Sequence, residues 1–319
     1  MATHMRNWLL VGLLGLLVAC GGGGGGNSAQ GVEPGPPPPG GSVPPPEPEF
    51  PETNPSPYLD AEELSVFISS VVLNDNEQAI VKFQLTDGDN VPIIDLELEY
   101  IRFVISKLQR GPLGGLTGTW QSYINQIEDP DGVGPGTENR LQATSERSGE
   151  FVNNGDGTYM YTYSTSLTNL DPIILDQAEA EGLNLDFEPD LTHRVAIQFD
   201  GAPGKANPNY DWEPATGATP ADGIFTMDIA ATDNCNRCHD PLALHGGGRR
   251  EVKYCVTCHN AGSTDANSTN TVDMKVMIHK IHMGRNLPTV QDGGEYAIYG
   301  YRDSKHDYST LAYPQDIRN

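Results

Sequence analysis

CNRCH at residues 235–239 and CVTCH at residues 255–259 decide how this chain is read. Each has two cysteines three positions apart with a histidine directly after the second. That is the attachment signature of c-type haem. The two thiols add across the two vinyl groups on one porphyrin edge, so their spacing must match the separation of those groups. The histidine is carried beneath the ring, where its imidazole ligates the iron as proximal axial ligand. Cys235, Cys238 and His239 are assigned to one haem c, and Cys255, Cys258 and His259 to a second. The sixteen residues between Cys238 and Cys255 also fit a zinc ribbon. Four thiols in an exported chain equally fit two disulfides. Neither alternative requires a histidine after each pair, and both pairs have one.

The histidines gather around these motifs. Of eight in the chain, six fall between 239 and 306. With His239 and His259 proximal, His245, His279, His282 and His306 are candidate distal iron ligands. His279 and His282 lie in DMKVMIHKIHMG (273–284), which reads as a short helix with Asp273 near its start. Their i,i+3 spacing puts both imidazoles on one face. The plain alternative is an amphipathic helix with Val276, Met277 and Ile281 toward a core. His245 follows His239 by only six residues, too close to loop to the far face of its own haem, so it is expected to serve a neighbour. His306 is expected to serve a haem attached elsewhere.

Toward the N-terminus, Arg6 precedes an apolar run from Trp8 to Val18, too short for a permanent membrane span and shaped like a secretory leader. It ends in Leu17-Val18-Ala19-Cys20, which resembles a bacterial lipobox and implies cleavage before Cys20 and lipid attachment to it. A plain signal peptide with a coincidental cysteine is the alternative. Gly21 is not the aspartate that retains a lipoprotein at the inner membrane, so outer-membrane anchoring is expected. Residues 21–57 hold a glycine tract, PGPPPPGG and PPPEPEFPE. Such sequence buries too little apolar surface to offset its ordering entropy and is read as a tether, stiff where proline-rich.

Between 58 and 232 the pattern is of strands: LSVFISSVVL (64–73), AIVKFQL (79–85), LEYIRFVISKL (98–108), TWQSYIN (119–125), TYMYTYST (158–165), HRVAIQF (193–199) and IFTMDIA (224–230). Turn signals at 87–90, 129–132 and 153–157 separate them. A mainly β domain, antiparallel and Greek-key or split-barrel-like, is expected there, with DQAEAEGL (176–183) giving one helical turn or two. Residues 233–319 are expected to form a multihaem c-type cytochrome domain with little regular structure and short helices.

Charge divides the same way. Residues 58–233 carry 8 Lys and Arg against 30 Asp and Glu, a balance of −22, while 234–319 carry 10 against 9, or +1. The acidic balance excludes nucleic acid as a partner. The oxygen-rich turns at Asp129–Asp131 and Asn153–Asp156 fit calcium, although turn chemistry alone explains them. No Ser/His/Asp group, P-loop or dinucleotide fingerprint stands out.

The run CNRCHDPLALHGGGRREVKYCVTCHNAG (235–262), then VDMKVMIHKIHMGRNLP (272–288) and GGEYAIYGYRDSKHDYSTLAYPQDIRN (293–319), resembles the start of the first pentahaem domain of the OmcA/MtrC-type outer-membrane decahaem cytochromes. IRFVISKL, TWQSYIN and GDGTYMYTY fall, less specifically, where that family has its N-terminal β domain. The resemblance covers roughly residues 60 to 319. It implies bis-histidine, low-spin haems and a lipid-anchored protein at the cell exterior. Such a protein takes electrons from a periplasmic multihaem cytochrome through an outer-membrane porin to metal oxides or flavins. The family has ten CxxCH motifs and this chain two, so a longer protein is expected, a genuine two-haem protein being the alternative. An electron carrier is expected rather than an enzyme, apart from terminal metal reduction. The other readings are a multihaem reductase with one open haem site, and a lipid-anchored binding protein whose β domain is the active part.

Overall fold

LSVFISSVVL and QAIVKFQLTD pair antiparallel as β1 (Leu64–Leu73) and β2 (Gln78–Asp87). Asn74 closes their turn, its Oδ1 accepting from the backbone N–H of Asn76 at 2.9 Å and of Gln78 at 3.0 Å. The same local logic repeats in β3 (Ile101–Arg110) with β4 (Gly118–Ser122), in β7 (Glu150–Asn153) with β8 (Thr158–Ser166), and in β9 (His193–Phe199) with β10 (Asn209–Trp212). Between them β5 (Asn125–Glu128) and β6 (Arg140–Ala143) form a separate small ribbon. The computed structural model describes residues 54–111 and 118–313, which belong to one compact unit. Cys20, the leader and residues 21–53 of the tether lie outside the described residues.

Two four-stranded antiparallel sheets result, in the orders β1-β2-β8-β7 and β10-β9-β3-β4. Putting β8 beside β2 and β9 beside β3 joins two hairpins edge to edge in each sheet; the sheets are antiparallel as the sequence suggests, but neither has the 4-1-2-3 strand order of a Greek key. Aromatic rings fill the space between them: Phe103 of β3 lies flat on Tyr161 of β8 with centroids 3.7 Å apart, and Phe83 meets Phe199 edge-on. The tyrosine hydroxyls do not go unpaired. Tyr163 donates to the carbonyl of Val104 and Tyr161 to the buried carboxylate of Glu146, each at 2.9 Å, as burial of a polar group requires.

Four expectations need correction. IFTMDIA (224–230) is not a strand. Its carbonyls are taken by side chains, that of Phe225 by Thr192 and that of Met227 by the Trp120 indole, and Phe225 and Met227 pack beneath the haem motifs. TWQSYIN breaks between β4 and β5 because Ser122 Oγ turns the chain, bonding to both the N–H and the C=O of Ile124. Strand β3 begins only at Ile101, after a 3-10 turn at Leu98–Tyr100. Helix α1 spans Pro172–Ala180 rather than starting near 176. Asp171 caps it by accepting from Ile173 N–H at 2.9 Å, with proline in the first turn. Strands β6, β7 and β10, each four residues long, were too short to show a period of two.

Strand β9 positions the rest of the molecule. All seven of its residues are buried. His193, Val195, Ile197 and Phe199 face the aromatic core, while Arg194, Ala196 and Gln198 face helix α3 (Val252–Cys258). Beyond β10 the chain carries α2 (Thr232–Cys235), α3, α4 (Met274–Met283), α5 (Pro288–Gln291) and the ribbon β11 (Ala297–Tyr299) with β12 (Lys305–Asp307). Regular structure is sparse here, as the sequence suggests.

Candidate haem-binding site

The second motif is built on α3. Tyr254 and Cys258 pack on Val104 and Ala196 from the outer face of the β sheet. One turn around the helix, Val252, Cys255 and Val256 join Leu108, Trp120, Leu242, Met274 and Met277 in a second cluster. Arg194 anchors the junction. Its guanidinium is bidentate to Asp211 at 2.6 and 2.7 Å, lies 4.1 Å over the Trp120 ring and donates to the carbonyl of Lys253. The first motif is far more open. Cys238 and His239 are exposed, and α2 is tied to α3 through Thr232 Oγ1, which accepts from Val252 N–H at 3.0 Å.

Helix α4 begins where Asp273 accepts from Lys275 N–H at 3.0 Å. Its core face is Met274, Met277, Ile278 and Ile281, the i, i+3, i+4, i+7 stripe of an amphipathic helix. Val276 lies off that stripe, contrary to the sequence reading. His279 and His282 are exposed on the flank toward the haem motifs, each with Nδ1 against the carbonyl four residues earlier, Lys275 and Ile278 respectively. His259 Nδ1 sits 3.0 Å from the carbonyl of Val272. A carbonyl only accepts, so Nδ1 carries the proton in all three. That leaves Nε2 with a lone pair, the arrangement by which proteins present imidazole to a metal.

His245 arrives by a tight turn. His245, Gly246 and Gly247 have φ of 51°, 75° and 86°, a left-handed run that glycine adopts freely and histidine does not. The turn is closed by Leu244 N–H to Arg249 C=O at 3.0 Å and the reciprocal bond at 3.2 Å. Its result is a ring centroid 5.8 Å from that of His259. At the first motif His239 and His282 stand 6.4 Å apart. With metal–imidazole bonds of about 2 Å, two imidazoles that share one iron would have centroids roughly 6 Å apart, a separation both pairs match.

All four motif cysteines, together with His239, His245, His259, His279 and His282, line one cavity of about 490 Å³ whose remaining wall is mainly apolar. Its volume is in the range of cofactor sites. His306 is not brought there: its Nε2 lies 3.1 Å from Ser304 Oγ on the exposed β11–β12 ribbon. Burial pushes the Cys255 thiol up to about 11 and raises Cys258 as well. Burial, then Arg249, pulls His245 down to about 4, and burial also lowers His259. Both imidazoles are therefore neutral and ligand-ready at neutral pH. Among the described residues the four cysteines are free, and no three His, Cys, Asp or Glu side chains converge as the thiolates of a zinc ribbon must.

The sequence reading missed Arg249, Gln198 and Tyr254. Nothing in HRVAIQF itself shows that α3 covers the face of the strand that carries Gln198.

Comparison with known proteins agrees with this architecture. Residues 66–219 match the OmcA-like N-terminal domain, and residues 227–319 match the outer membrane cytochrome MtrC/MtrF-like domains II/IV. The multiheme cytochrome MtrC of Shewanella baltica (strain OS185) is 29% identical over 222 residues, covering 66% of this chain and 29% of that relative. The crystal structure of the outer membrane decaheme cytochrome OmcA superposes with a TM-score of 0.67 at 29% identity, over 81% of this chain and 39% of that one. For MtrC from Shewanella baltica OS185 the TM-score is 0.50 at 26% identity, over 70% and 33%. The chain thus spans about a third of the length of these relatives.

Proposed function

We propose, since this chain belongs to the OmcA/MtrC family of outer-membrane multihaem cytochromes, that it is a cell-surface electron carrier. It takes electrons from a periplasmic multihaem cytochrome through an outer-membrane porin and passes them to extracellular metal oxides or flavins. Cys20 carries its lipid anchor, residues 21–57 are the tether, 58–232 the β scaffold and 233–319 the haem-bearing domain. Cys235 and Cys238 attach one haem c, with His239 proximal and His282 distal. Cys255 and Cys258 attach the second, with His259 proximal and His245, from the turn between the two motifs, distal. His279 and His306 are assigned to haems attached outside these two motifs.

The observation that carries this reading is the two close histidine couples, with ring centroids 6.4 and 5.8 Å apart, among the residues that line the cavity the four cysteines share. Haem, when bound, supplies a one-electron ferric/ferrous couple. The thioether cysteines fix its position, and the carbonyls of Val272 and Ile278 orient His259 and His282. With one of the two couples as its ligands, a bound haem would have no position open to oxygen or a small substrate, which favours a carrier over an enzyme. The full chain, produced in cells with a c-type maturation system, is expected to gain the mass of two haems and keep them through acid–acetone extraction. Extractable haem, or one zinc per chain, sinks the assignment.

A further inference from the structure

The protein is strongly acidic, with 43 Asp and Glu against 19 Lys and Arg. Its cavity wall reverses that balance. Among the described residues it carries two cations, Arg249 and Lys275, and no carboxylate. Lys275 is exposed, whereas Arg249 is built in. Its Nε donates to Gln198 Oε1 at 2.8 Å, and that oxygen is aimed at it because Gln198 Nε2 donates to Asp200 at 2.7 Å. Tyr254 donates to the same oxygen at 3.3 Å, and its ring lies 5.7 Å from the guanidinium carbon. The Leu244–Arg249 bridge fixes the backbone on the same turn that delivers His245.

What this framework leaves free is the charge. None of the ion pairs among the described residues includes Arg249, while Arg194 is neutralised by Asp211 and Lys253 by Asp228. A partly buried, positioned and uncompensated guanidinium is costly unless an anion meets it. Haem brings such an anion, because each porphyrin carries two propionate carboxylates, and guanidinium binds carboxylate bidentately.

We propose that Arg249 binds a propionate of the haem attached at Cys255 and Cys258, and that its charge holds the potential of that haem up. The inference rests on the haem assignment above. A cation favours ferrous over ferric iron, since the ferrous centre carries one positive charge fewer.

The test uses the full chain loaded with haem. Arg249→Gln is expected to keep the wild-type haem mass, to move one step of the redox titration to lower potential, and to shift the propionate bands in the redox-difference infrared spectrum. Arg249→Lys keeps the charge but loses the fork, so most of the potential should survive while the propionate bands still move. Lys275→Gln should leave the same step in place. A fully loaded Arg249→Gln protein that titrates as wild type overturns the proposal. If that variant does not fold, propionate bands left unmoved by Arg249→Lys overturn it equally. Absence of haem from Cys255 and Cys258 in the wild type is a different failure: it removes the site, and this proposal with it.

Discussion

At the scale of single residues, two histidines that look equivalent in the sequence are separated by geometry. His279 and His282 share a helix flank, and the i,i+3 spacing shows only that. The ring of His282, not His279, forms the close couple with His239 at 6.4 Å. His282→Met is therefore expected to convert the first haem to His/Met ligation, raising its potential and adding a weak far-red sulfur-to-iron band to the ferric spectrum. His279→Met should leave that haem untouched. Equal effects from the two variants would remove the pairing. A third histidine, His193, lies in the β core, stacked on Tyr123 and beside Trp212, with Nε2 bonded to Tyr123 Oη at 2.9 Å and Nδ1 to the carbonyl of Leu191. Burial, and more weakly Lys107, lowers it to about 4. The unfolded chain binds the proton more readily, so stability is complete above about 6.5 and is lost as pH falls toward 4. Between those limits one such group contributes roughly 1.4 kcal/mol per pH unit. Urea titrations of wild type and His193→Gln at pH 7 and pH 4 should show the wild-type advantage shrinking by about 3 kcal/mol on acidification; parallel losses would place the proton elsewhere.

At the scale of elements, the long strands were legible in the sequence as runs of apolar, β-branched and aromatic residues between turn signals, the α4 helix from its cap and apolar spacing, and the CxxCH spacing named its own chemistry. What was not legible depends on contacts between distant segments. HRVAIQF reads correctly as a strand, but its outer face looks solvent-directed until α3 is placed over Arg194, Ala196 and Gln198. The glycines of DPDGVGPG gave only a turn signal, yet they are where the β scaffold grips the loop after the second motif. Gly136 N–H donates to Asn267 C=O at 2.8 Å, and Asp131 N–H to Asn267 Oδ1 at 2.8 Å. A Cβ on Gly136 would stand 1.7 Å from the carbonyl oxygen of Ala266, which backbone cannot yield without moving the loop. Gly136→Ala should destabilise the protein by about 1–3 kcal/mol. Gly132, with open space around it but a φ of 75°, should lose only the smaller cost of a left-handed alanine. Matched thermal unfolding of the two variants decides this: equal shifts would mean that backbone strain, not the contact with Ala266, sets the cost.

At the scale of the whole molecule, the β part holds in place the turn that carries His245, the distal ligand proposed for the second haem. His245 and Arg249 sit on one turn, and that turn is fastened to the scaffold at three points: Arg249 to Gln198, Asn207 Nδ2 to the carbonyl of Gly248 at 3.0 Å, and Arg250 N–H to Asn207 Oδ1 at 2.8 Å. Tyr254 and Cys258 are buried against Val104 and Ala196 of the same sheet. By contrast His239 and His282 are carried by segments outside the β sheets, so their couple does not depend on those three fastenings. Covalent attachment needs only the CxxCH peptide, so a chain cut to residues 233–319 should still acquire two haems. Its second haem, however, loses the restraint that sets His245 opposite His259, and an imidazole on a glycine-rich turn gains freedom to leave. The cut chain is therefore expected to bind carbon monoxide at one haem when reduced, while the full chain binds none at either. Carbon monoxide binding by the full chain would show an open iron and turn the reading toward a reductase. A cut chain that stays wholly closed would show that the scaffold is not what keeps the distal histidine in place.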